Sequence, residues 1–405
     1  MNVLMLSPGF PREMRYFTRG LAGTGASVIG LGDQPEGAIE EPARSALSAH
    51  LHVRSWRDED AILAQVAEFA GRVPIHGVEC LWEPYMVLAA KLREMLGLPG
   101  MTVRETIPFR DKEEMKRVLD AAGIRTPHHY RATTAAECVE AAEAIGYPLI
   151  VKPIAGAGSA DTYRVDSREH LDQVLPRLRS VAEVSVEEFV VGDDMTYETI
   201  CVGGEIRFYS IATYIPRALD MRENEWISPI TLVYRDPDAP GLEAGRRMGE
   251  AVIEALGFGT GYTHMEWYRT RDGEAVFGEI GARPPGAYLV DLINYASDID
   301  TYAGWAEAVV HGRFTQTVDR KYNAAWVFKR ARGQGRIERY EGLETLLSEI
   351  GPHVCALELN PIGSPRRDWK SVLVADGMII VRHPDLRTTI DMAERIAGRF
   401  HVVAG

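Results

Sequence analysis

The stretch "YPLIVKPIAGAGSADTYRV", Tyr147 to Val165, places a lysine at the end of an apolar run and follows it with small residues of the kind that wrap a phosphate group. Its order decides the fold. In a Walker loop a strand leads into glycines, and the lysine comes after them on the first turn of a helix. Here Lys152 comes first, and Gly156, Gly158 and Ser159 follow. The lysine therefore belongs to a strand, and the small residues to the loop that leaves it.

Composition limits what such a strand can be part of. A chain of 405 residues exceeds one ordinary core, and an apolar content of 46% is enough to bury two or three packed domains. The net charge of -13 argues against a nucleic-acid partner, which would need a broad basic surface to release counterions. Small-molecule chemistry is expected instead. Cys80, Cys138, Cys201 and Cys355 lie far apart with no paired spacing, so neither a disulfide framework nor a zinc site is expected. The longest apolar runs are of strand length, well short of the roughly 20 residues of a membrane span. The opening "MNVLMLSPGF" also lacks the basic segment and long apolar core of a signal peptide. A cytoplasmic protein with no membrane partner is the expectation.

Working outward to the N-terminus, "NVLMLS" and "SVIGLGD" are short apolar runs suited to buried parallel strands, with a candidate helix from Met14 to Ala22 between them. "GVECLW" and "PYMVLAAKLREMLG" continue the alternation, so residues 1–105 read as an open α/β domain. It lacks a G-x-G-x-x-G turn after its first strand, which argues against a dinucleotide site there. The pattern then changes. Met115, Val118, Leu119 and Ala122 share a helix face, Gly123 ends that helix, and a second helix, "TAAECVEAAEAIG", leads into Lys152. The segments "VSVEEFV", "MTYETICV", "EIRFYSIATYI", "TGYTHMEWYRT" and "EAVFGEIGA" read as strands, interrupted by a helix from Glu243 to Leu256. Residues 106–312 thus form an antiparallel-rich α+β body. Residues 313–405, with Gly-rich and charged turns and a helix near Leu386 to Gly398, form a smaller closing portion.

Within the body, "HMEWYRTRDGEAVFGEIGAR" contains Asp272-Gly273, a signal for a two-residue type I′ turn. That turn would pair Arg271 with Glu274 and, further along the ladder, Glu266 with Glu279. Two carboxylates directly opposed on a sheet repel each other, so something positive is expected between them. Mg²⁺ carrying nucleotide phosphates suits this oxygen-only pair, because it takes one or two carboxylates and fills its octahedron with water and phosphate oxygens. An exposed, solvated pair is the plainer alternative. Arg283, in "GARPPGA", brings a cationic fork beside the two acids, suited to phosphate or carboxylate recognition.

With these residues in place, the chain resembles the ATP-grasp superfamily, in particular its carboxylate-amine ligases, over nearly its whole length. In that family the nucleotide lies between two α+β subdomains, a strand lysine reaches its phosphates, and a small-residue loop closes over them. The resemblance accounts for the order of Lys152, Gly156, Gly158 and Ser159. It implies that Lys112 and Lys152 bind the nucleotide and that "VEEFVVGDD" is the hinge. There Glu187 and the backbone of Glu188 and Val190 would contact adenine, and Asp194 the ribose. It further implies that Glu266 and Glu279 hold Mg²⁺, two ions in all with Mn²⁺ as a substitute, and that Arg283 and Lys152 act in catalysis. One position departs from the pattern. Gly281 stands where the family commonly has a metal-binding asparagine, so a second ion would need water, a bidentate Glu279 or another ligand.

The function implied is an ATP-dependent ligase. It would phosphorylate a substrate carboxylate to an acylphosphate and couple it to an amine, releasing ADP and phosphate. The substrates would be small molecules, amino acids or a natural-product intermediate, and the chain a possible homodimer. A carboxylase or purine-pathway relative activating bicarbonate or formate stays open, as does a non-catalytic nucleotide-binding regulator. For His264, on the same strand face as Glu266, a structural role is favoured. His128 and His129 read as loop residues. Arg217, Arg222 and Trp226 are candidates for the acceptor pocket, or for a loop without ligand contact.

Overall fold

The apolar runs at the start of the chain form a small parallel sheet. The computed structural model describes residues 1–154, 161–372 and 375–405, so the expected loop residues Gly156, Gly158 and Ser159 lie outside the described residues. Strands β1 (Asn2–Leu6), β2 (Ser27–Gly32), β3 (Leu47–His52) and β4 (Gly77–Glu79) lie in the order β3-β2-β1-β4, with β2 parallel to both β1 and β3. The run around β3, "LSAHLH", carried no clear strand signal because it is an edge strand, only half-buried and mixed in polarity. The helix Glu59–Ala70 also went unread in the sequence.

A second sheet holds β5 (His129–Ala132), β6 (Leu149–Pro153), β7 (Tyr163–Val165) and β8 (Val184–Glu188) in the order β5-β8-β6-β7. Lys152 is on β6, as its place in an apolar run requires. The register sets Ile150 opposite Glu187 and Lys152 opposite Ser185, so Lys152 and Glu187 are diagonal neighbours on one face. The helices Ala135–Ile145 and Arg168–Val174 cover this sheet with a core of their own, built on Leu149, Val151, Val186 and Leu171.

The third sheet carries the rest. Strands β9 (Asp193–Val202), β10 (Glu205–Ile215), β11 (Ile230–Val233), β12 (Gly261–Arg269), β13 (Ala275–Gly281), β14 (Asn323–Lys329), β17 (Val354–Leu359) and β18 (Gly377–His383) lie in the order β13-β12-β9-β10-β11-β14-β18-β17. The last portion of the chain therefore extends the sheet that carries Glu266 and Glu279. A small sheet of β15 (Arg332–Gly333), β19 (His401–Ala404) and β16 (Ile337–Glu341) sits at its end. The helices Leu289–Ser297 and Thr301–His311 join the sheet to the N-terminal domain, and Gly20 of the helix Met14–Gly23 meets the backbone of Tyr302, where a Cβ would lie 2.7 Å from the carbonyl oxygen.

The hairpin of β12 and β13 pairs Glu266 with Glu279, but not through the expected turn. Arg269 pairs with Ala275, and the loop closes through Gly273 N–H to the Thr270 carbonyl at 3.1 Å and Thr270 N–H to the Glu274 carbonyl at 3.0 Å. Asp272 accepts from the Thr270 hydroxyl at 2.5 Å, and Gly273 adopts φ +87°, the left-handed residue of a longer turn. This shifts the ladder by one residue. A bulge at Gly278 shifts it back, so the two departures cancel and the carboxylates still face each other. Gly278 is needed there because a Cβ would lie 2.8 Å from the Glu266 carbonyl oxygen.

The helix Glu243–Ala255 lies against the hairpin strand β12 and its neighbour β9 through two glycines. A Cβ on Gly245 would fall 2.0 Å from the Trp267 ring, and one on Gly249 would fall 2.4 Å from Tyr197. Gly245→Ala would raise helix propensity by about 1 kcal/mol in an open helix. Overpacking costs about 1–3 kcal/mol, and with the ring this close it is the larger effect. The variant should therefore unfold at lower urea concentration than wild type. A midpoint at or above wild type would contradict this packing.

Candidate functional site

The site is built where the second and third sheets face each other. Lys112 opens the helix Lys112–Ala121, whose first turn is capped by Asp111 accepting from the N–H groups of Glu113 and Glu114 at 3.0 Å. The cap fixes the helix start, and Lys112 Nζ reaches Glu279 Oε2 at 3.1 Å. From the opposite sheet, Lys152 Nζ reaches Glu187 Oε2 at 2.9 Å. Glu187 Oε1 is held by Lys116, one helical turn beyond Lys112 and wholly buried. Burial alone would raise the Glu187 pKa, but Lys116 and Lys152 outweigh it and hold this carboxyl well below its ordinary range. Burial likewise opposes the charge on Lys152, and Glu187 and Glu279 overcome it, raising the pKa.

Lys112, Lys152, Glu187, Glu188, Val190, Asp194, Glu266 and Glu279 all line one cleft. Glu188 is tied at its side chain to Arg125 at 2.9 Å and through its N–H to the His128 carbonyl at 2.8 Å. Asp194 accepts from Arg217 Nε and from the Ala218 N–H, both at 2.8 Å. Burial raises the Asp194 pKa against the pull of Arg217. The Arg217 guanidinium lies over the rings of Phe189 and Tyr268, at 4.8 and 5.5 Å.

Behind the carboxylate pair a second cavity of about 360 Å³ opens, and Glu266, Glu279 and Tyr214 line both spaces. Arg283 lies on this side. Its Nε meets Glu83 Oε2 at 2.8 Å, its Nη1 donates to the Pro284 carbonyl at 3.0 Å, and Glu83 also holds Arg110. Burial would lower the Arg283 pKa, but Glu83 outweighs it and raises it. The rest of the cavity is largely apolar, with Leu81, Trp82, Pro285, Leu289, Trp326 and Phe328 in its walls, and Arg222 and Arg330 also line it. The Gly281 position bears on Arg283 directly, since a Cβ there would press on the arginine stem at 3.1 Å.

His264 has a structural position with a consequence for the acids. Its Nδ1 is 2.8 Å from Glu198, which is fully buried, and its Nε2 is 3.6 Å from Glu266. Burial would lower the His264 pKa, yet hydrogen bonding to Glu198 and then Glu266 pushes it up to about 9. His129 lies between Glu113 and Asp120, at 2.7 and 2.9 Å. Of the three acceptor candidates, Arg222 lines the second cavity, Arg217 lines the cleft, and Trp226 lines neither. Lys116, Glu83, Glu198 and Tyr214 were not singled out in the sequence. Helical spacing from Lys112 could have found Lys116. Glu83 had no local signal, because it arrives from another domain.

Comparison with known proteins adds to this geometry. Residues 24–100 match the ATP-grasp N-terminal domain model, and residues 109–230 match the ATP-grasp domain model. An uncharacterized protein, y4rH, of Sinorhizobium fredii is 30% identical over 254 residues, 60% of this chain and 50% of that one. The L-arginine-specific L-amino acid ligase of Bacillus subtilis is 24% identical over 280 residues, 67% of this chain and 66% of the ligase. A formate-dependent phosphoribosylglycinamide formyltransferase of Nitratidesulfovibrio vulgaris is 25% identical over 288 residues, 69% of this chain and 70% of the enzyme. The chain thus spans half the length of the first of these curated relatives and about two thirds of the next two. Among solved structures, an L-amino acid ligase from Bacillus licheniformis superposes with a TM-score of 0.79 at 19% identity, over 100% of this chain and 98% of that one. N5-carboxyaminoimidazole ribonucleotide synthetase from Thermotoga maritima gives a TM-score of 0.73 at 18% identity, over 100% and 99%.

Among the described residues Glu187 is the carboxylate that pairs with both Lys116 and Lys152, so its removal is felt by both. Glu187→Gln should cost about 3 kcal/mol or more, because breaking a buried pair leaves uncompensated charge. A folded-state pKa below the unfolded value means the Glu187 contribution is complete above about pH 4.3 and is lost as pH falls below it. Urea denaturation of the variant at pH 7 and pH 4 checks both statements. A loss under about 1 kcal/mol at pH 7 would count against the charge arrangement.

Proposed function

Because the chain belongs to the ATP-grasp superfamily, whose members are generally ADP-forming ligases, we propose that it activates a substrate carboxylate with ATP and couples it to an amine. One observation carries the reading. The nucleotide-sided cleft and the apolar cavity meet at Glu266, Glu279 and Tyr214, with Lys112 and Lys152 on one side and Arg283 on the other. A phosphoryl group held by the lysines and a carboxylate held by the arginine would meet at that junction.

The facing pair Glu266 and Glu279 suits Mg²⁺, a hard cation that takes carboxylate oxygens. Among the described residues no third acid, histidine or cysteine joins them, so water and phosphate oxygens would complete the shell. When bound, the ion offsets charge on the phosphates. Lys112 and Lys152 bind and orient the triphosphate from two directions. Arg283, steadied by Glu83, orients the substrate carboxylate and lowers its repulsion with the phosphate. A carboxylate oxygen then attacks the γ-phosphorus, the bond to ADP breaks, and an acylphosphate forms. The amine attacks its carbonyl carbon, phosphate leaves with the former carboxylate oxygen, and the amine nitrogen gives up a proton. The protein supplies position and charge, and no covalent nucleophile is required.

The size and apolar walls of the second cavity favour an acid with an apolar body over bicarbonate or formate. An amino acid as acid or amine fits the relatives that are amino acid ligases. ADP release screened over amino acids, singly and in pairs, finds the substrates. With an acid carrying ¹⁸O in its carboxylate, one labelled oxygen should appear in the released phosphate. Label in AMP would rule out the acylphosphate route. Glu279→Gln should reduce ADP release at least a hundredfold, roughly the scale of losing one group that stabilises transition-state charge, while circular dichroism shows an unchanged fold. Wild-type turnover by that folded variant would remove the carboxylate pair from the mechanism.

A further inference from the structure

A third cavity, of about 370 Å³, lies on the far side of Arg330, which lines both this space and the apolar cavity. Lys329, Arg330, Arg332, Arg366 and His401 line it, and Glu225 is the one acid among its described lining residues. Three of these cations, Lys329, Arg330 and Arg332, lie within the run "KRARGQGR", Lys329 to Arg336, in a chain whose net charge is -13. Such a gathering is opposed by its own repulsion and needs a compensating partner.

The protein supplies only part of that compensation. Lys329 Nζ donates to Ser228 Oγ at 2.8 Å and to the Ala397 carbonyl at 2.6 Å, at the end of the helix Leu386–Arg399. Arg330 donates to the carbonyls of Asn224 and Met221, at 2.7 and 2.9 Å. Such carbonyls carry partial charge only. Arg366 pairs with Glu225 and donates to the Gly333 carbonyl at 2.6 Å, yet its buried Nε has no partner among the described residues. Arg332 makes no side-chain hydrogen bond or ion pair among the described residues. The excess charge is visible in its neighbours: burial and then Arg332 push Lys329 down to about 7, and burial, Arg332 and Lys329 push His401 down. Trp226, 81% exposed, stands at the edge of the same cavity.

We propose that this cavity binds a small phosphate-bearing anion, with Arg332 and the free Nε of Arg366 as its principal donors and Trp226 as a flat surface beside it. A single carboxylate is satisfied by one guanidinium fork. A phosphate, with up to two charges and several acceptor oxygens, uses donors from several sides and restores the charge on Lys329. The site is separate from the nucleotide cleft, so it stands or falls independently of the ligase reading.

Titration calorimetry of the full chain with inorganic pyrophosphate, without divalent metal, tests it. Saturable binding should persist in Lys152→Ala, which disables the nucleotide cleft as the competing location. It should weaken about tenfold in Arg332→Ala, the scale of one charge-assisted hydrogen bond, and recover in part in Arg332→Lys. Arg332 is exposed on a two-residue strand, so its removal leaves the core untouched. No saturable binding, or binding that vanishes in Lys152→Ala and is unaffected in Arg332→Ala, overturns the site. Succinate binding as tightly as pyrophosphate overturns the phosphate assignment.

Discussion

Two like-charged side chains set directly across a hairpin organise this molecule. Glu266 and Glu279 would destabilise an isolated ladder, and the surrounding structure is arranged to answer that repulsion. Lys112 contacts Glu279, His264 approaches Glu266 with a raised pKa, and Arg283 stands beside both. Each of these partners is itself fixed by another group: Lys112 by a capped helix start, His264 by the buried Glu198, and Arg283 by Glu83. A charge pair held this way is fixed before any ligand arrives, which is the condition under which electrostatics acts without reorganisation.

The sheet makes the junction possible. Because β12 and β13 share a sheet with β14, the wall that carries Glu266 continues to Trp326 and Phe328. At about 4.8 Å per strand, the four spacings from β12 to β14 span roughly 19 Å. A phosphate-binding side and a broad apolar side therefore occupy one continuous surface. Glycines set the distances across it. Gly245 and Gly249 let a helix rest on the rings of Trp267 on β12 and Tyr197 on β9, and Gly278 lets β13 approach β12 at the bulge.

Charge is distributed unevenly over the rest of the chain. In this acidic chain Lys112, Lys152 and Arg217 line the cleft, and Lys329, Arg330, Arg332 and Arg366 line the cavity beyond it. In the cleft every lysine faces a carboxylate. In the other cavity the opposing groups are mostly backbone carbonyls, and this difference separates a balanced site from one that favours an added anion.

The order of lysine before small residues, the apolar runs of the first domain and the acids of the hairpin were all legible in the sequence, because each depends on neighbours close in the chain. The fold class and the opposed pair Glu266 and Glu279 followed from these. The route to that pair was not legible: a longer turn and a bulge at Gly278 cancelled, and a bulge depends on how closely two backbones approach. The polar edge strand Leu47–His52 was unread because half-buried edges lack a clean alternation. Local sequence thus determined which groups are present and which element each rides on. Only tertiary structure decided that Lys116 and Lys152 share Glu187, that Glu83 holds Arg283 across 200 residues, and that Arg332 and Arg366 line one cavity. Charges separated along the chain have no mutual energy to read until folding brings them within a few ångströms and removes the water between them.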